Sequence, residues 1–169
     1  MEGRQRRRPP RRAGRAASDA ERRRLAQASR EERLPARSDR PVLWCDGGSR
    51  GNPGPSAYGF VLEAVDGSIL AEEGMPLGVS TAAVAELRGV LAGLRRAAEL
   101  GVGRLEVRTD SQVAVAQLSG EKRVRNPTLR TLVREIEETA TTVGPVRYRW
   151  VRRERNARAN ALVAAALDI

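Results

Sequence analysis

The stretch VLWCDGGSRGNPGPSAYGFVLEAV, residues 42–65, places an aspartate between two apolar runs and follows it with a segment rich in glycine and proline. The run before Asp46 is apolar and partly β-branched, which predicts a buried strand ending at Cys45. Glycine and proline together are typical of a tight loop. Asp46 is therefore expected where a strand runs out into a loop, and this raises the question of what requires a carboxylate there.

The composition indicates one globular domain preceded by a basic arm. The chain has 169 residues, a net charge of +10, no histidine and 40% hydrophobic residues, enough for one core. Residues 1–40 carry fourteen arginines and six acids, a net charge of +8, which leaves +2 for residues 41–169. We therefore expect a disordered arginine-rich N-terminal arm over 1–40 and a folded domain over 41–169.

Three interpretations of the arm stay open. The arm could be a solvated tail or a segment whose arginines contact nucleic-acid phosphates. A third interpretation is a mitochondrial presequence, which its six acids disfavour. A helix is predicted from Ser18, because Glu21 follows at capping-box spacing.

The single cysteine, Cys45, is typical of a reducing compartment, so a cytoplasmic location is expected. No apolar run is long enough to span a bilayer, so no membrane association is expected.

Strand and helix patterns alternate through the rest of the chain. Residues 57–65 and 68–74 are joined by Asp66-Gly67, which predicts an antiparallel hairpin continuing the first strand. The remaining predicted elements are a helix over 80–100, a strand over 104–110, helices over 111–118 and 127–142, a strand over 146–151 and a helix over 156–167. This order, βββαβααβα, predicts an α/β fold with a five-stranded mixed sheet flanked by helices.

Three acids are placed where such a sheet forms a site. Asp46 follows the first strand, Asp110 follows the fourth, and Glu86 lies early in the first long helix. Individually each has an ordinary explanation, as a turn residue, a helix N-cap or a solvated helix residue. If the first and fourth strands are neighbours, however, the carboxylates converge at the carboxyl ends of parallel strands. Clustered carboxylates without a basic partner require a hard cation, which favours Mg²⁺ or Mn²⁺.

Four motifs resemble those of the type 1 ribonuclease H family: DGGSRGNPG from Asp46, AEL around Glu86, TDSQ at 109–112 and WVRRERNARANAL near the end. The resemblance covers residues 41–169 and is to the short form without the basic handle. It implies a ribonuclease H-like fold and hydrolysis of the RNA strand of RNA/DNA hybrids with two divalent ions per site, Mg²⁺ or Mn²⁺ as its substitute. Double-stranded RNA stays open as a second substrate, and a monomer is expected.

The resemblance also implies roles for individual residues. Asp46 would bridge both ions, Glu86 and Asp110 would hold the ion on the leaving-group side, and Asn160 stands at the fourth ligand position. Candidate contacts to the substrate strands, where 2′-hydroxyls distinguish RNA from DNA, are Gly47, Gly48, Asn52, Ser111 and Gln112.

Two departures from the family pattern predict a weakened enzyme. The family's fourth ligand is an aspartate, and since Asn160 is neutral, the formal negative charge of the site falls from four to three. Ala82 and Ala83 replace two adjacent asparagines that contact the substrate in the minor groove. The alternative function is therefore a catalytically impaired nucleic-acid-binding protein. A nucleotide-binding loop at residues 47–54 is a weaker interpretation, because no Gly-Lys-Ser/Thr follows the glycines.

Overall fold

The computed structural model describes Arg23 and residues 38–168. Most of the arginine-rich arm, including the helix predicted from Ser18, lies outside the described residues. Its structure and its role therefore stay predictions.

Residues 38–168 fold in the predicted order, βββαβααβα. The strands are β1 (Val42–Ser49), β2 (Gly54–Glu63), β3 (Ile69–Ser80), β4 (Leu105–Thr109) and β5 (Val146–Trp150). The helices are α1 (Ala82–Glu99), α2 (Gln112–Leu118), α3 (Pro127–Val143) and α4 (Ala157–Leu167), and a 3₁₀ turn, Arg153–Asn156, precedes α4. Among the residues described, no helix is long and apolar enough to cross a bilayer.

Within this part of the chain the strands form a mixed sheet in the order β3-β2-β1-β4-β5. β1 and β3 pair with β2 in antiparallel fashion, whereas β4 lies parallel to both β1 and β5. The predicted five-stranded sheet, with its antiparallel meander and later parallel crossovers, is confirmed. Since β1 and β4 are neighbours, their carboxyl ends meet at the same edge of the sheet.

The first strand is longer than predicted. The prediction that it ends at Cys45 was wrong, because antiparallel pairing with β2 carries β1 through Asp46 as far as Ser49. Parallel pairing with β4 stops earlier, at Cys45 and Thr109. At Asp46, β1 is therefore still paired with β2 but no longer with β4.

Helices pack on both faces of the sheet. On one face, α1 lies across β1 and β2, and α3 packs against α1. Leucines at helical spacing in α1, Leu87, Leu91 and Leu94, are buried in the core with Leu43. Burying each such side chain contributes about 2 kcal/mol. On the opposite face, α4 packs against β1, β2 and β3, with Val163 buried.

A buried ion-pair network connects β4 to β5. Glu106 is fully buried, and its carboxylate accepts hydrogen bonds from Arg108 (2.8 Å), Arg147 (2.9 Å) and Arg149 (3.3 Å). Burial opposes the charge of Glu106, but hydrogen bonds and positive charge from Arg108 and Arg147 outweigh it and lower its pKa. The Arg108 guanidinium also lies 5.0 Å from the centre of the Trp44 ring. Sequence reasoning missed this network, because charges alternating with apolar residues predict an exposed strand face.

Candidate active site

Asp46 and Asp110 emerge where the parallel pairing of β1 and β4 ends. Each directly follows one member of the last register pair, Cys45 and Thr109. Asp46 is 7% exposed, and burial followed by the charge and hydrogen bonding of Asp110 raises its pKa to about 6. The two carboxyl groups therefore interact directly, as the predicted neighbourhood of the first and fourth strands requires.

Glu86 is brought to Asp46 by a close approach of α1 to β1. A Cβ atom on Gly47 would lie 2.2 Å from the backbone nitrogen of Glu86, so only glycine allows the helix to pack this close. Thr81 caps α1, its side chain accepting a hydrogen bond from the Val84 amide at 3.2 Å. Burial, opposed by a hydrogen bond from Ser111 and reinforced by the charges of Asp46 and Asp110, raises the pKa of Glu86 to about 7.

Asn160 lies in the first turn of α4, on a segment that packs against β2. A Cβ on Gly59, the register partner of Asp46, would lie 2.7 Å from the Ala159 carbonyl oxygen, so α4 meets β2 at the level of Asp46. Asn160 Nδ2 donates to the Arg153 carbonyl oxygen at 3.2 Å. Its Oδ1 is buried and accepts no hydrogen bond. Asn160 thus has one amide atom used within the protein and one left without a donor.

The 3₁₀ turn before α4 supplies contacts to Asp110 that sequence reasoning missed. Asn156 is 1% exposed, and its Nδ2 donates to the Cys45 carbonyl oxygen at 2.8 Å and to Asp110 Oδ1 at 3.4 Å. Arg153 Nη1 lies 3.6 Å from Asp110 Oδ2. Trp150 Nε1 donates to the Asp110 carbonyl oxygen at 3.1 Å. No local sequence signal identifies these contacts, because they join residues about forty or more positions apart.

Ser111 and Gln112, two of the predicted substrate contacts, lie at the start of α2 directly after Asp110. Ser111 is the N-cap of α2, with its Oγ accepting from the Ala114 amide at 3.1 Å, and its hydroxyl also hydrogen-bonds Glu86. Gln112 is exposed. Ser111 therefore already serves the protein's own structure, whereas the Gln112 side chain is accessible to a substrate.

Gly48 and Asn52, two further predicted contacts, follow Asp46 along the chain. Gly48 is half-buried, with space for a Cβ no closer than 3.6 Å to Val163. Asn52 is exposed, and its Oδ1 accepts a hydrogen bond from the Ala82 amide at 3.1 Å. This bond ties the glycine-rich loop to the first residue of α1. Gly47, the fifth predicted contact, is buried beneath α1.

The donor set at this edge of the sheet fits a hard divalent cation. It consists of three carboxylates and the amide oxygen of Asn160, which has no donor within the protein. Oxygen ligands without histidine or an accessible thiolate are those that Mg²⁺ and Mn²⁺ prefer. In the described part of the chain, no three acidic or thiol side chains are gathered tightly enough to form a complete ligand set as they stand. Binding would therefore require the side chains to draw together.

Comparison with known proteins gives the family. Residues 44–166 match the protein-family model described as reverse transcriptase-like. Ribonuclease HI of Halobacterium salinarum is 40% identical over 134 residues, which is 79% of this chain and 67% of that protein. The crystal structure of ribonuclease H1 from that organism has a TM-score of 0.74 at 40% identity and covers 76% of this chain and 98% of the solved chain.

Two more proteins are similar over the same region. A bifunctional protein of Mycobacterium tuberculosis is 42% identical over 128 residues, 75% of this chain and 35% of that protein, so the chain spans about a third of its length. LC11-RNase H1, solved in complex with an RNA/DNA hybrid, has a TM-score of 0.72 at 33% identity and covers 76% of this chain and 96% of the solved chain. With the four sequence motifs on a matching fold, the chain belongs to the type 1 ribonuclease H family.

Proposed function

We propose that this chain is a ribonuclease H, an endoribonuclease that hydrolyses the RNA strand of RNA/DNA hybrids with divalent cations. The observation that carries the proposal is that Asp46 and Asp110 meet where the parallel pairing of β1 and β4 ends, with Glu86 brought to them by α1. The similarity to LC11-RNase H1, which was solved with a hybrid, supports the substrate class.

Asp46, Glu86, Asp110 and the Asn160 amide oxygen would hold the metal, with Asp46 shared between two ions. Mg²⁺ is the proposed ion and Mn²⁺ its substitute. When bound, the ions would supply activation of water and stabilisation of the leaving oxygen. With a neutral amide in place of a fourth carboxylate, we propose that cleavage is weakened and not abolished.

The protonation of the acids would set when they can bind a cation. A carboxylate must lose its proton to coordinate a metal, and the pKa values of Asp46 and Glu86 are about 6 and 7. Cation binding would therefore displace protons from both groups and should become tighter as the pH rises through this range. Arg153, 3.6 Å from Asp110 Oδ2, supplies a positive charge at the site before any metal binds.

The substrate would be held around these acids by residues of β1, the glycine-rich loop and α2. Asn52, in the glycine-rich loop, and Gln112, the first residue of α2, are exposed. We propose these two residues and Ser111 as the polar contacts to the substrate. Gly48 carries no side chain to obstruct an approaching backbone, whereas the absence of a side chain on Gly47 makes room for α1. We propose a monomer acting in the cytoplasm, and double-stranded RNA is a second substrate to be tested beside the hybrid.

Hybrid cleavage by the full chain in Mg²⁺ and in Mn²⁺ tests the proposal. We expect cleavage within the RNA strand that stops when a chelator is added, and loss of cleavage in Asp46→Asn in both metals. Glu138→Gln, a neutralised exposed acid on α3, is the matched control and should cleave like the unaltered chain. Full cleavage by Asp46→Asn, or cleavage that persists with chelator, would contradict the assignment.

A second candidate function is hybrid binding without efficient cleavage. It is favoured by Asn160, whose amide nitrogen donates to the Arg153 carbonyl oxygen as a carboxylate could not. It is also favoured by Ala82 and Ala83, which offer no side-chain polar group at the start of α1. Tight hybrid binding together with undetectable cleavage in both metals would establish this candidate over the first.

A further inference from the structure

We propose that the 3₁₀ turn Arg153–Asn156 is the positioning element for Asp110, and that its two end residues act on divalent-cation binding in opposite directions. Asn156 holds Asp110 in place permanently and so favours the cation. The Arg153 side chain supplies the positive charge beside Asp110 when no cation is bound, and it must move away when a cation binds. The inference rests on the proposed metal-dependent function.

The turn and Trp150, the last residue of β5, contact Asp110 at three atoms. Asn156 reaches Oδ1, Arg153 reaches Oδ2, and Trp150 donates to the backbone carbonyl oxygen. Both carboxylate oxygens are thus contacted from the same short segment. Of these contacts, the one from the buried Asn156 side chain holds the rotamer of Asp110, whose carboxylate would otherwise be free to turn away from Asp46.

Asn156 is built in as a permanent part of the sheet edge. β4 ends at Thr109, so the Cys45 carbonyl oxygen lies at the last register pair of the β1–β4 ladder. Asn156 Nδ2 donates to that oxygen at 2.8 Å from a side chain only 1% exposed. Removing this donor would leave a buried carbonyl unsatisfied and release Asp110 Oδ1 at the same time.

Arg153 is attached to Asp110 in a different way. Its side chain is 73% exposed, the Asp110 side chain is 12% exposed, and the two charged groups lie 3.6 Å apart. Ion pairs with an exposed partner are weak and exchange readily. A carboxylate that is paired with a guanidinium attracts a divalent ion less strongly. The side chain of Arg153 therefore competes with the metal for Asp110.

The backbone of Arg153 has a separate role that a side-chain substitution preserves. Its carbonyl oxygen accepts the hydrogen bond from Asn160 Nδ2 at 3.2 Å. Replacing the Arg153 side chain therefore removes the competing cation and leaves the contact to the fourth ligand position intact. This separation makes Arg153→Gln an informative variant.

Titration of the full-length, substrate-free chain with Mg²⁺ and Mn²⁺ by calorimetry tests the proposal. We expect Arg153→Gln to bind the ion roughly twofold to fivefold more tightly than the unaltered chain, with the gain shrinking at high salt. Arg153→Lys should restore the original affinity. Asn156→Ser should bind about tenfold more weakly, because the shorter hydroxyl does not reach the oxygens that Nδ2 contacts and so frees Asp110. Arg134→Gln, an exposed arginine on α3, is the control for loss of one positive charge.

The opposite changes in cation affinity expected for Arg153→Gln and Asn156→Ser distinguish the proposed roles from a merely structural one. If both variants weaken binding, or if Arg153→Gln matches Arg134→Gln, the proposal is wrong. A second measurement uses no metal: thermal stability of Arg153→Gln, Asp110→Asn and the double variant. Non-additive changes in melting temperature show that Arg153 and Asp110 are coupled, whereas strict additivity overturns the proposal. If the unaltered chain binds no divalent ion, the proposed metal function fails, and this metal-free cycle still decides whether the Arg153 side chain acts as the positive partner of Asp110.

Discussion

Replacing Asn160 with aspartate should make the metal-free protein less stable and the metal-loaded enzyme faster. The substitution removes the Nδ2 donor that now bonds the Arg153 carbonyl oxygen at 3.2 Å, a loss of about 1 kcal/mol. It also adds a charge beside acids whose pKa values are already raised, which costs about another 1 kcal/mol. Without metal, the melting temperature should therefore fall by roughly 5 to 10 °C.

With Mg²⁺ the sign should reverse, because the new carboxylate replaces a neutral ligand. Hybrid cleavage should rise at least about tenfold, equivalent to roughly 1.4 kcal/mol of barrier. The gain should be smaller in Mn²⁺, which binds such sites more tightly from the start. Initial cleavage rates and thermal melts with and without each metal measure both effects, with Gln117→Glu on α2 as an amide-to-acid control.

One result would refute this reasoning. If Asn160→Asp gives no faster cleavage with either metal while melting as predicted, the charge of the fourth ligand does not limit the reaction. The weakness would then lie in substrate contacts, most directly at Ala82 and Ala83, and the hybrid-binding function would be the better description.

The remaining predictions concern pH, packing and the arm. Asp46 and Glu86 have pKa values of about 6 and 7 in the folded protein against usual values of 3.8 and 4.5, so the stability they contribute is full below about pH 4 and lost as pH rises to about 8. Thermal melts in chelator should show a loss of up to roughly 3 kcal/mol per group, and a flat profile would contradict their burial. Gly47→Ala should cost about 3 kcal/mol in urea unfolding, because its Cβ would lie 2.2 Å from backbone atoms of α1, whereas Gly103→Ala, with open space around it, should cost little. Deleting residues 1–37 should weaken binding to hybrids and duplexes alike and flatten the salt dependence of affinity by about 0.9 per lost phosphate contact. An unchanged slope would identify the arm as a solvated tail.

The order of elements could be predicted because it depends on local patterns. The leucines of α1 repeat at helical spacing, Asp66-Gly67 marks a hairpin, and a glycine follows α1 and α3 directly or within two residues. From that order, the rule for parallel strands brings Asp46 and Asp110 together provided that β1 and β4 are neighbours, a condition that the structure meets. The resemblance to the family then supplied roles that geometry alone does not assign.

What the sequence could not predict depends on contacts between distant residues. The continuation of β1 past Cys45 depends on β2, since glycine and serine have little strand preference of their own. The place of Asn156 depends on where β4 stops, which no pattern near residue 156 records. Gly47 was predicted as a substrate contact, a role that stays a prediction, while its close packing against α1 became visible only with the helix in place.

Among the candidate metal ligands, Asp46 and Asn160 differ in how firmly the backbone that carries them is held. Asp46 is carried by a strand that stays hydrogen-bonded to β2 on both sides of it, so its backbone cannot shift without breaking the ladder. Asn160 is carried by a helix outside the sheet, so a substitution there changes side-chain hydrogen bonding and charge but breaks no strand pairing. Mutational drift, or deliberate redesign of metal preference, should therefore be tolerated on α4 well before it is tolerated on β1.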